Sequence, residues 1–217
     1  MKPSELSQIE RIFYPGWLMA SQLRGGQEVL DGERLYRQAR RLVVEARTAL
    51  TDAGYSETQR DHMVYALCAL LDESVLNRGT SDDGYLTWHR DPLQAYFFGT
   101  LNAGEELWER IRLLLKETAP DTAVLTCLYR TVQLGFVGQY RAQEDERRED
   151  VVRRLGERVP PFQLAQDAPV IVRASRLRSG RRWYWLSWFA GTVVLVALWF
   201  FLSSSLTGMV NQIIRPG

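Results

Sequence analysis

Residues 56–77 read SETQRDHMVYALCALLDESVLN, and the reading of this stretch decides the fold. Ser56 and Gln59 make the S-x-x-Q pattern of a capping box, so a helix starts here. Stepping about 100° per residue puts Val64, Leu67, Cys68, Leu71 and Val75 on one apolar stripe. Leu70 and Leu76 widen it, and Ala66 and Ala69 lie across from it, which leaves little surface for water. A helix with so small a polar face belongs at the centre of a bundle. Asp72 falls at the edge of the stripe, and Glu73 falls nearly opposite, beside His62 and Asn77.

The two carboxylates need an explanation. An unpaired carboxylate is costly to bury, and both lie near the helix C-terminus, where the macrodipole disfavours negative charge. Two readings stand. Either one pairs with an arginine of the domain while the other is solvated, or both line a cleft that receives another protein. A catalytic dyad fits poorly, because neighbours on a helix point about 100° apart.

Outward from this helix the chain reads as helix after helix. Residues 4–24 are amphipathic, with Pro15-Gly16 expected to kink or break them. Residues 33–53 carry Leu35, Ala39, Leu42, Val43, Ala46 and Leu50 at helical spacing, and Gly54 is the expected C-cap. Residues 78–84, RGTSDDG, read as a loop. Asp91-Pro92 should open a short helix through Phe98, Asn102 should cap one to about residue 118, and Pro120-Asp121 should open a long one through Arg141. Gly135 and Gly138 inside that last pattern imply close helix–helix approach. A charged helix over about 144–158 follows. No run alternates with period two for the length of a strand. The expected fold is all-α: a cytoplasmic domain of about seven helices over residues 1–158, with one C-terminal membrane helix.

The membrane helix is residues 183–202, WYWLSWFAGTVVLVALWFFL, which hold no charge. At about 1.5 Å per residue the segment spans roughly 30 Å, the thickness of a hydrocarbon core. Trp183 and Trp185 are placed for one interface, next to Arg176, Arg178, Arg181 and Arg182. The segment 159–182 reads as a juxtamembrane linker containing proline and arginine, and 203–217 as a short tail. The arginines before the span put residues 1–182 in the cytoplasm and the tail on the far side of the membrane. Ala190, Gly191 and Thr192 make a small-residue patch suited to helix self-association.

Charge is distributed unevenly. Residues 1–172 hold 21 Lys+Arg against all 26 Asp+Glu, a net of −5. An acidic domain argues against nucleic-acid binding. Cys68 and Cys127 sit in helical patterns and read as core residues. No spacing in the chain marks a metal site, a cofactor loop or a nucleophile motif.

The block Tyr65-Ala66-Leu67-Cys68-Ala69-Leu70-Leu71-Asp72-Glu73 resembles the signature of the DotU/IcmH family. Trp88, Phe97-Phe98-Gly99, Gly104-Glu105 and Leu134-Gly135-Phe136-x-Gly138-x-Tyr140-Arg141 continue the resemblance in order, over about residues 10–155. The likeness is greatest to the branch of type VI secretion systems. Departures are Thr100, where an acid is common, Ala103, where a second glycine is common, and Leu107-Trp108, where phenylalanines are usual. The resemblance implies a subunit that is not an enzyme, built of two three-helix bundles in a hook with a cleft. Its implied partners are a TssM-like inner-membrane protein, a TssJ-containing membrane complex, baseplate subunits and itself through the membrane helix. It also places Asp72 and Glu73 at the partner-binding cleft. The other readings are a DotU-like subunit of a type IVB secretion system and a membrane-anchored metal-dependent hydrolase using His62 and Asp72.

Overall fold

The computed structural model describes residues 3–140 and 145–160. They form eight α-helices: α1 (Pro3–Arg24), α2 (Gly32–Asp52), α3 (Glu57–Leu76), α4 (Asp83–Arg90), α5 (Leu93–Phe98), α6 (Ala103–Lys116), α7 (Thr122–Gln133) and α8 (Glu146–Glu157). No strand occurs among the described residues. They lie in the unit Met1–Ala165. The linker, the segment 183–202, Arg176, Arg178, Arg181, Arg182, Trp183, Trp185, Ala190, Gly191 and Thr192 lie outside the described residues. Among those described, no helix is long and apolar enough to cross a membrane.

Helix α3 starts on the capping box read from the sequence. Ser56 Oγ accepts from the Gln59 N–H, and the Gln59 side chain accepts from the Ser56 N–H. Every residue from Met63 to Asp72 is buried, so α3 is enclosed on all sides rather than along one stripe. It packs against α1, α2, α4, α5, α6 and α7, and α8 covers α6 and α7 from outside. The amphipathic helix α2 buries Tyr36, Ala39, Val43, Ala46 and Leu50 at the spacing the sequence predicts.

Helix α1 runs through Pro15 without a break, and three expectations are corrected. Helix α4 begins inside the stretch read as a loop, because Asp82 is an N-cap whose side chain accepts from the Tyr85 N–H. That raises the count above seven. Helix α7 ends at Gln133, because Gly135 (φ 103°) and Gly138 (φ 60°) adopt left-handed backbone that a helix cannot contain. The two glycines therefore shape a turn, over residues 134–140, instead of a helix–helix contact. Finally, neither Asp91 nor Asn102 caps a helix with its side chain: α5 has Pro92 at its N-cap and α6 has Asn102 there, both without a side-chain cap bond.

Gly32 marks where α2 meets α4. A Cβ there would lie 2.2 Å from the Asp83 carbonyl oxygen and 2.5 Å from Thr87 Oγ1. The obstructing atom is backbone, so one of the two helices must shift to admit it. Gly32→Ala should destabilise the domain by about 2 kcal/mol or more in urea unfolding, although alanine is the better helix former.

Candidate functional site

Asp72 and Glu73 close α3, and each is tied to a different part of the domain. Asp72 is 2% exposed. Its Oδ1 accepts from Trp88 Nε1 at 3.0 Å and from the Leu93 N–H at 2.9 Å, and its Oδ2 accepts from the Gln94 N–H at 2.9 Å. Leu93 and Gln94 are the first residues of α5, so Asp72 supplies from another helix the cap that Pro92 cannot. The Gln94 side chain then accepts from the Ala103 N–H at 3.0 Å, at the start of α6. Caps are thus relayed from α3 to α5 to α6. Trp88 is fully buried edge-on against Tyr36, whose hydroxyl donates to Asp91 at 3.0 Å.

Glu73 points the other way. Its carboxylate accepts from Arg24 Nη2 at 2.7 Å, from the Val137 N–H at 2.9 Å and from the Gly138 N–H at 2.7 Å. Arg24 also donates to Ser74 Oγ at 3.0 Å. Two successive N–H groups in a turn with a left-handed residue form a nest for an anion, here a carboxylate of the same chain. The turn is pinned further by Trp108 Nε1 donating to the Val137 carbonyl at 2.9 Å and by the Gln139 N–H donating to the Gly104 carbonyl at 2.8 Å. Buried Arg148 caps the same region, donating to the carbonyls of Val132 and Phe136.

One half of the simpler sequence reading holds, since Glu73 pairs with Arg24. The other half does not, because Asp72 is enclosed rather than solvated. Asp72 is inside the core, and the Glu73 side chain is 8% exposed with its oxygens engaged. The signal that could have located Asp72 was Pro92, a helix start with no side chain able to cap it.

The hydrolase reading loses its geometry. His62 and Asp72 stand ten residues apart on one helix, which separates them by about 15 Å, too far to share a metal. Burial, and next the Arg110 guanidinium, pull the His62 pKa down. Among the described residues no three His, Cys, Asp or Glu side chains converge on a point.

Burial pushes the Asp72 carboxyl up to about 7, against the pull of its hydrogen bonds from Gln94, Leu93 and Trp88. A carboxyl raised in the folded state above its unfolded value of about 3.9 binds more protons when folded. Its contribution to stability is therefore greatest at low pH and is lost as pH rises through about 7. Urea unfolding of fragment 1–160 should show wild type losing about 2 kcal/mol relative to Asp72→Asn between pH 5.5 and pH 8.5. Glu73→Gln should act on the turn instead. The Val137 and Gly138 amides should exchange with solvent about ten-fold faster, a change readable by amide hydrogen exchange.

The family described as type VI secretion system protein DotU matches residues 8–205. No curated protein sequence matches. The crystal structure of SciP/TssL from Escherichia coli enteroaggregative 042 is 67% identical, covers 78% of this chain and 98% of its own, and superposes with a TM-score of 0.65. The cytoplasmic domain of TssL from Acinetobacter baumannii shares the fold at 24% identity and a TM-score of 0.62, covering 69% of this chain and 95% of its own. DotU from Francisella novicida shares it at 18% identity and a TM-score of 0.56, covering 72% and 99%. The chain belongs to the DotU family of type VI secretion system proteins, among its TssL members.

Proposed function

We propose that this chain is a non-enzymatic inner-membrane subunit of the type VI trans-envelope complex, and that its cytoplasmic domain recruits the baseplate and contractile tail. The observation that carries this reading is the family match over residues 8–205, which extends past the helical domain into the apolar segment read as an anchor. On this reading residues 1–158 form the cytoplasmic domain, a hook of two three-helix bundles with a cleft. Residues 159–182 are the linker, 183–202 span the membrane once and 203–217 lie in the periplasm. Arg176, Arg178, Arg181, Arg182, Trp183 and Trp185 seat the span at the interface, and Ala190, Gly191 and Thr192 serve self-association. The partners are a TssM-like protein, the TssJ-containing complex and baseplate subunits.

The part of Asp72 and Glu73 in partner binding is then indirect. They hold the segments that meet the partner: α4 and α5 on one side, the 134–140 turn on the other. Their burial and saturated oxygens support positioning over contact. Preorganised surfaces bind more tightly because fewer groups lose freedom on association.

Tagged full-length protein, isolated from membranes of cells making the apparatus, should bring down a large inner-membrane protein and baseplate subunits. Glu73→Gln should reduce baseplate recovery about five-fold while the inner-membrane partner remains. Equal recovery of both would remove the turn from the interface. Absence of any stable partner from the wild type would sink the recruiting role itself.

A further inference from the structure

A groove of about 450 Å³ runs between α1, residues 25–31 and α2, away from the carboxylate clamps. Leu18, Met19, Leu23, Val29, Leu35 and Leu42 make its walls apolar. Leu30 stands at its edge, 84% exposed. The backbone under Leu30 is fixed by residues 78–83, the link after α3 and the start of α4. The Val29 N–H donates to Asp82 at 2.9 Å, the Gly32 N–H donates to Asp83 at 2.6 Å, and Arg78 donates to the Gln27 carbonyl at 2.9 Å. Arg78 and Asp82 themselves form a buried ion pair at 2.7 Å. A large apolar side chain held out on immobilised backbone has little conformational freedom left to lose on binding.

The charges on the rim are specific. Other arginines of α2 and α4 are engaged: Arg37 and Arg90 reach Glu33, Arg47 reaches Asp61, and Arg40 lies over the Tyr96 ring. Arg34, which lines the groove, and Arg41, two turns further along α2, are both exposed. Neither guanidinium has a partner among the described residues. Seven residues of helix place them about 10 Å apart on one face. The opposite, loop end is acidic: Glu28 lines it, and Asp31 is occupied in capping α2 through the Arg34 N–H. Glu45 lies one turn beyond Arg41.

We propose that this groove binds an amphipathic helix of a partner protein, with apolar side chains against Leu18, Leu30 and Leu42 and two acidic residues about two turns apart against Arg34 and Arg41. The acids of the occupant lie along α2, because Glu28 and Asp31 repel them from the loop end. The same two acids disfavour an anionic bilayer beside Leu30. This inference rests on the reading of the chain as a recruiting subunit but uses a surface separate from the Asp72 and Glu73 clamps.

The test places a photo-crosslinking amino acid at Leu30 of the full-length protein in cells making the apparatus, and sequences the crosslinked peptide. The expected adduct is a partner segment with apolar residues at helical spacing and two acids about seven positions apart. In Arg34→Glu/Arg41→Glu its yield should fall about ten-fold, while an adduct from the same probe at exposed Leu113 on α6 is unchanged. Arg34→Gln/Arg41→Gln should give a smaller fall with the same helical circular dichroism, separating charge recognition from folding. Adducts to lipid, to another copy of this chain or to a segment without acids, no protein adduct, or a yield indifferent to both double variants would each overturn the proposal. Absence of the Leu30 adduct from the otherwise wild-type chain, with baseplate recovery intact, would sink the groove and leave the recruiting role standing.

Discussion

Two adjacent carboxylates at the enclosed end of α3 constrain the rest of the domain. Side chains at neighbouring helical positions diverge by about 100°, so one set of donors cannot serve both. The fold must supply hydrogen-bond donors on two sides of the same helical turn. Asp72 takes them from the indole of Trp88 and from the bare N-terminus of α5. Glu73 takes them from Arg24 at the end of α1 and from the turn after α7. Removing the partners of a buried charge costs about 3–5 kcal/mol, so neither arrangement can be left half made. The order of helices around α3 follows: α4 and α5 gather at Asp72, while α1 and the 134–140 turn gather at Glu73. The relay through Gln94 carries the constraint one element further, to the start of α6.

What the sequence disclosed was what local chemistry determines. The capping box at Ser56 and the buried face of α2 need only residues within a turn or two, and both are where the pattern puts them. The failures are non-local or a matter of one ambiguous residue type. Gly135 and Gly138 fit either a tight helix contact or left-handed backbone, and only their φ values decide. Helix α4 is not legible in the sequence because its cap, Asp82, sits in a stretch with the composition of a loop. The cost of burying Asp72 and Glu73 was legible, but their donors were not. Those donors lie 16 to 22 residues away for Asp72, and 49 to 65 residues away for Glu73. No periodicity within α3 can reveal a bond to a backbone amide sixty residues downstream.

A side chain can be indispensable to a partner surface without touching the partner, because it fixes the segment that does. On the proposed recruiting function Asp72 and Glu73 are of that kind: acids at the place where the family resemblance puts a cleft, facing inward. Charge reversal at either position would abolish an internal cap or nest together with whatever surface depends on it. A loss of binding would then report on folding of the segment as much as on contact. Arg34, Arg41 and Leu30 are the opposite case, exposed groups whose side chains have no bond to break among the described residues. If the groove binds as proposed, substitution there alters recognition and leaves the internal clamps intact. The two classes of residue are distinguished by where their polar atoms end: on the protein's own amides, or on no other described group of the chain.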